Sequence, residues 1–158
     1  MSQKHTISVL VENHFGVLAR VSGLISARAF NIDSLTVSTT EDPTVSRMTI
    51  VVDAEPVKLE QVKHQLARLV DVIGVQELQD GVFIDRELLL ARVTINGTTK
   101  AQIEGIAQRF GGKLAAVNDR SVVIEAAGDT KTLDQLVEQL RPHGITQLVR
   151  TGRVALEK

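Results

Sequence analysis

Thr6-Ile7-Ser8-Val9-Leu10-Val11 runs into Glu12-Asn13-His14-Phe15-Gly16 and then into Val17-Leu18-Ala19-Arg20-Val21-Ser22-Gly23-Leu24-Ile25. The first six residues alternate and then turn fully apolar, which is the pattern of a strand. Glu12 to Gly16 breaks that pattern. From Val17 the apolar residues fall at Val17, Leu18, Val21, Leu24 and Ile25, the one-sided spacing of a helix that packs on a core. A strand, a glycine turn and an amphipathic helix therefore follow one another directly.

Working outward, the helix is expected to end near Phe30-Asn31. Ile32 to Thr40 alternates again, and Val45 to Asp53 reads as a further strand. Glu41-Asp42-Pro43-Thr44 between them has the chemistry of a hairpin loop. Pro56 opens a second helix, with Leu59, Val62, Leu66 and Leu69 on one face. Val70 to Leu78 reads as a fourth strand, which gives the order βαββαβ.

The second half repeats that order. Glu87 to Asn96 is a strand, followed by Gly97. Residues 98–110 are helical, with Ile103, Ile106, Ala107 and Phe110 on one face. Lys113–Val117 and Ser121–Ala127 flank the turn residues Asn118-Asp119-Arg120. Leu133, Leu136, Val137 and Leu140 mark another helix, stopped by Pro142 and Gly144, and Ile145–Arg150 is the last strand. The halves match even at the helix ends, Arg28-Ala29-Phe30-Asn31 against Arg109-Phe110-Gly111-Gly112. The break falls near Gln79-Asp80-Gly81. The fold class is α+β: two tandem ferredoxin-like domains, residues 1–79 and 80–158, each with helices on one face of an antiparallel sheet. Such a sheet leaves a face and two edges open, so dimerisation or docking is expected.

Composition narrows the function. The chain has 158 residues, 43% hydrophobic and 23% charged, with a formal net charge of −1. A non-specific nucleic-acid binder is usually clearly basic. There is no Trp or Tyr and only four Phe, so base-stacking platforms are absent. An RNA-recognition module of the same βαββαβ order would carry aromatics on its central strands, and Ser46 to Val52 has none. No apolar run approaches the roughly 20 residues of a membrane span. Met1-Ser2-Gln3-Lys4-His5 leads straight into the alternating pattern, so no signal peptide is expected. With no cysteine, disulfides and thiol nucleophiles are excluded, and a cytoplasmic location is expected.

Catalytic patterns are missing as well. His5, His14, His64 and His143 are scattered, and Glu12 with His14 makes no metal-binding spacing. There is no glycine-rich phosphate loop and no visible serine triad. The place for chemistry is the turn Asn13-His14-Phe15-Gly16-Val17-Leu18. A helix N-terminus presents unpaired N–H groups and partial positive charge, and it takes a carboxylate or phosphate. The turn has a bland reading too, with Asn13 or a neighbour capping the helix and Gly16 serving a tight bend. Asn31 has the same two readings: a left-handed helix cap, or an amide offered to a ligand.

The N-terminal half resembles an ACT domain, the small regulatory module that binds amino acids. Its usual turn, Asp-x-Pro-Gly-x-Leu, stands here as Asn13-His14-Phe15-Gly16-Val17-Leu18, with the Asp and Pro replaced. Three longer stretches, Leu18 to Leu24, Phe30 to Val37 and Asp42 to Ile50, resemble the small subunits of acetolactate synthase, also called acetohydroxyacid synthase. Leu69-Val70-Asp71-Val72 and Asp85-Arg86-Glu87-Leu88 continue the likeness. The resemblance implies a non-catalytic, regulatory chain in branched-chain amino acid biosynthesis. Its partner would be a catalytic large subunit that carries thiamine diphosphate, Mg and FAD, with no cofactor on this chain. It also implies a homodimer through the ACT domains, activation of the large subunit, and feedback inhibition by L-valine. Carried over by position, the valine site comprises Asn13, His14, Phe15, Gly16, Val17 and Leu18, completed by Asn31 and Ile32 of the other chain. Valine needs N–H groups for its carboxylate, an acceptor for its ammonium and a small apolar pocket; Val17, Leu18 and Ile32 are expected to form the pocket. The alternative is an ACT-type sensor subunit of another biosynthetic enzyme.

Overall fold

The computed structural model describes residues 3–95 and 99–158. The chain folds as two compact units, the first made of residues 1–84 with 153–158, the second of residues 85–152.

In the first unit the element order is β1 (Gln3–Glu12), α1 (Val17–Ala27), β2 (Asn31–Thr39), β3 (Val45–Ala54), α2 (Pro56–Leu66) and β4 (Val72–Leu78). The strands form an antiparallel sheet in the order β2-β3-β1-β4. Alternation explains the core. Ile7, Val9 and Val11 of β1 and Met48, Ile50 and Val52 of β3 share the helix-covered face. They meet Val17, Val21 and Ile25 of α1 and Leu59, Val62 and Leu66 of α2, all essentially buried. Each such side chain contributes about 1.5–3 kcal/mol. Leu69, expected on the α2 face, lies beyond the helix end but still packs against this core.

The second unit repeats the plan with β5 (Phe83–Thr94), α3 (Lys100–Arg109), β6 (Lys113–Val117), β7 (Ser121–Gly128), α4 (Thr130–Leu140) and β8 (Ile145–Arg150). Its sheet order, β6-β7-β5-β8, is the same as in the first unit. Leu89, Ala91 and Val93 with Val122, Ile124 and Ala126 face Ile103, Ile106 and Ala107 of α3 and Leu133, Leu136, Val137 and Leu140 of α4. The α3 N-terminus closes with a reciprocal box: Thr99 Oγ1 accepts from Gln102 N, and Gln102 Oε1 accepts from Thr99 N. Residues 96–98, where the strand from Glu87 was expected to end and the next helix to begin, lie outside the described residues.

Four expectations are corrected. The helix expected to reach Phe30 ends at Ala27, because Ala29 turns left-handed with φ +59°. That residue, not Asn31, is the left-handed position; Asn31 begins β2. An L-residue there is strained by about 1–2 kcal/mol. Ala29→Gly is therefore expected to stabilise the first unit by about 0.5 kcal/mol, since glycine's greater unfolded freedom offsets part of the relief; thermal unfolding checks this. Next, β5 starts at Phe83 rather than Glu87. The chain does not divide cleanly at 79/80 either, because residues 80–84 belong to the first unit. Finally, a short strand not expected from the sequence, β9 (Val154–Glu157), returns to the first unit.

Several contacts anchor that return. β9 pairs with β5, whose first residues, Phe83 and Ile84, belong to the same unit. Arg153 donates to Thr6 Oγ1 at 2.7 Å and lies 5.8 Å from the centre of the Phe83 ring. Gln76 Nε2 donates to Glu157 at 2.9 Å, and Lys158 N donates to Val82 O at 3.0 Å. Ala155 is buried.

Candidate functional site

The turn between β1 and α1 is held from two sides. Asn13 N donates to Thr44 O at 2.8 Å, and its amide Nδ2 donates to Pro43 O at 3.0 Å. The turn is thereby tied to the β2–β3 hairpin. That hairpin is itself set by Asp42, whose Oδ1 accepts from Thr44 N at 2.9 Å and from Thr44 Oγ1 at 2.7 Å. These two bonds hold the Asp42 carboxyl below its ordinary range.

The residue just before α1, at its N-cap, is Gly16, with φ +82°, a conformation that favours glycine. Asn13 is not its cap. Among the described residues no side chain caps this helix, and its first turn holds no acidic residue. The N–H groups of Val17, Leu18 and Ala19 thus face outward with the positive end of the helix dipole. Donors of this kind suit an anion, and the missing Cβ of Gly16 leaves the approach to them open. The only described atom within 4 Å of a Cβ built on Gly16 is Arg20 Nη2, at 3.9 Å.

The side chains divide differently from expectation. Val17 is 3% exposed and belongs to the core, so it lends the site its backbone alone. Phe15 is 99% exposed and Leu18 46%, which makes them the apolar side chains available at the turn. Ile32 is partly buried against the core. Asn31 Nδ2 donates to Asp33 Oδ1 at 3.2 Å. Asn13 and Asn31 are alike in this respect: each has its amide nitrogen engaged, leaving the amide oxygen to accept.

The eight expected residues do not meet in one chain. Glu12, which leads into the turn, pairs with Val45. Asn31 pairs with Asp53, and Asp53 pairs with Lys4. From Lys4 to Glu12 the strand advances eight residues, roughly 26 Å. The turn and Asn31 therefore lie at opposite ends of the sheet.

Asp71 was not singled out by the sequence reading. Its backbone oxygen accepts from Glu12 N at 2.8 Å, and its carboxylate lies 2.7 Å from both His14 Nε2 and Arg20 Nη2. His14 Nε2 is also 3.2 Å from Glu12 Oε2, and His14 Nδ1 is 3.2 Å from Phe15 O. The Phe15 carbonyl first, then the charge of Asp71 and the hydrogen bonds to Glu12 and Asp71, hold the imidazole above its ordinary range against an opposing desolvation.

A ferredoxin-like unit whose first helix opens on an uncapped glycine turn has the build of an ACT-type regulatory domain. A family model described as "AHAS small subunit-like ACT domain" matches residues 7–74, and one described as "Small subunit of acetolactate synthase" matches residues 86–158. The chain belongs to the acetolactate synthase small subunit family, and its role is that of a regulatory subunit. It is 44% identical to the acetolactate synthase small subunit of Mycolicibacterium smegmatis, over 98% of this chain and 91% of that one. The Aquifex aeolicus small subunit is 38% identical, over 99% and 82% of the two chains. The crystal structure of the small subunit from Thermotoga maritima superposes with a TM-score of 0.89 at 30% identity, covering 99% of this chain and 98% of that one. No helix among the described residues is long and apolar enough to cross a membrane.

Proposed function

We propose that this regulatory subunit senses L-valine with a site built by two copies of the chain. In this reading one copy supplies the turn Asn13–Leu18, whose backbone N–H groups take the valine carboxylate. The second copy supplies Asn31 and Ile32. The amide oxygens of Asn13 and Asn31 accept from the ammonium, and Leu18, Phe15 and Ile32 line the space for the isopropyl group. The observation that carries the reading is the separation of the turn from Asn31 along the sheet. One chain cannot close a site on a molecule as small as valine, and a symmetric pair supplies both halves twice. Bound valine would bias the homodimer and, through it, the catalytic large subunit. Thiamine diphosphate, Mg and FAD belong to that partner in this reading, which places the holoenzyme among transferases of the cytoplasm. No nucleic acid or membrane takes part.

A complementation experiment tests the two-copy site. Gly16→Asp and Asn31→Ala chains each lose valine binding when prepared alone. Refolded together, the mixed dimer regenerates one intact site of two. Calorimetry is expected to recover about a quarter of the wild-type capacity for random pairing, because half of the dimers are mixed. No recovery, in a mixture shown by mass spectrometry to have exchanged chains, overturns the two-copy site. L-lysine and D-valine serve as non-binding controls.

A further inference from the structure

Glu12, His14 and Asp71 bring three donor atoms to one point from two loops, all within 4.8 Å of one another. His14 Nε2 is 2.7 Å from Asp71 Oδ1 and 3.2 Å from Glu12 Oε2. The opposite ring nitrogen, Nδ1, lies 3.2 Å from the Phe15 carbonyl. A carbonyl oxygen only accepts, so Nδ1 is the donor and carries the proton. Nε2 faces two carboxylate oxygens: with a proton on it the ring donates to them, and without that proton its lone pair and the two oxygens are three donor atoms around one point.

Asp71 is the buried member of the cluster: its side chain is 7% exposed, its Oδ1 faces His14, and its Oδ2 faces Arg20 Nη2, 2.7 Å away, in an ion pair. Glu12 and His14 are about half exposed, which leaves the outer side open to water.

We propose that Glu12 Oε2, His14 Nε2 and Asp71 Oδ1 form a binding site for a divalent transition ion of the Zn²⁺ type. One imidazole and two carboxylates suit that class, and no thiolate is needed. At metal–ligand distances of about 2.0–2.2 Å, tetrahedral ligands stand roughly 3.3–3.6 Å apart. Glu12 and His14 are close to that spacing already. His14 and Asp71 must open by about 0.6 Å or more to reach it, a movement the half-exposed imidazole has room to make. The outer partners are in place as well. The Phe15 carbonyl fixes the His14 ring through Nδ1, as metal-bound imidazoles are commonly fixed, and Arg20 braces the far oxygen of Asp71. With a neutral imidazole the two carboxylates and Arg20 sum to −1, which favours a cation.

This site does not rest on the valine reading, which uses backbone N–H groups and asparagine amides. The test is therefore made without amino acid. The tag-free full chain at pH 8 is titrated with Co²⁺ by visible absorbance and with Zn²⁺ by calorimetry. One equivalent per chain is expected to saturate in the micromolar range. His14→Ala and Glu12→Gln are each expected to weaken binding at least tenfold, and His143→Ala to leave it unchanged. Glu12→Gln is isosteric at an exposed position, so its loss cannot be assigned to unfolding. Absence of saturable binding below millimolar metal, or binding that survives His14→Ala, overturns the site. The three side chains are then an imidazolium ion pair only.

Discussion

Gly16→Asp is expected to abolish the response to valine while leaving activation of the catalytic subunit largely intact. The substitution fits sterically, because a Cβ at this position meets only Arg20 Nη2, at 3.9 Å. The left-handed backbone at φ +82° costs an L-residue about 1–2 kcal/mol, and Asp is among the residues that bear it best. The new carboxylate lands at the uncapped N-terminus of α1, where it satisfies the outward N–H groups itself. An amino acid then loses its anion site and meets a like charge in its place. At least a hundredfold loss of affinity is expected, about 2.7 kcal/mol. Gly16→Ala separates charge from strain: it bears the same backbone cost without the carboxylate and should lose less than tenfold. Valine calorimetry and inhibition curves of the reconstituted holoenzyme provide the readout. A Gly16→Asp chain that still responds to valine removes the turn from the site.

The second large effect lies in the other unit. Glu87 on β5 has a side chain only 7% exposed, and Arg150 on β8 is its counter-charge. Arg150 Nε donates to Glu87 Oε2 at 2.9 Å, Nη2 donates to the same oxygen, and Nη1 donates to Asp134 of α4 at 2.5 Å. Partial burial lowers the guanidinium's proton affinity, but Asp134 and Glu87 outweigh it and hold Arg150 more firmly charged than usual. Arg150→Met strips the cation and leaves a buried carboxylate without it. The expected cost is about 3–5 kcal/mol of stability, read by urea unfolding of the full chain. Glu87→Leu combined with Arg150→Met removes both charges and should recover most of that loss. If the double variant is no more stable than the single one, the network contributes by packing rather than by charge. Valine affinity, which the reading assigns to the first unit, should be unchanged in any variant that stays folded.

Much of the architecture was legible because period and punctuation agree. The change from alternation to helical spacing at Gly16 is carried by Val9, Val11, Val21 and Ile25, and all four are in the core. The same agreement holds at Ile103, Ile106, Leu133 and Leu136. Where local chemistry and tertiary context disagree, the reading fell short. Asp85 and Arg86 fall outside the strand expected from Glu87, yet they lie within β5, and Glu87 itself is on the buried face, where Arg150 pairs with it. Val17 looked like a pocket residue because the glycine turn drew attention to its neighbours, but its place in the helical stripe sends it to the core. Asp71 carried no local signal. Its partners His14 and Arg20 come from the other end of a sheet strand and a helix, and only pairing of β1 with β4 brings them to it. Four residues of β9 are too few for any period to declare itself.

The return of residues 153–158 gives this chain an unusual order of assembly during synthesis. Domains generally fold as they emerge, the N-terminal one first. Here the partner that Thr6 hydrogen-bonds and the cation that stacks over Phe83 are both Arg153. They reach the first unit only after all of residues 85–152 have been made. The first unit of a nascent chain is therefore incomplete until the second has been translated, so a ribosome that stops early releases neither unit fully finished.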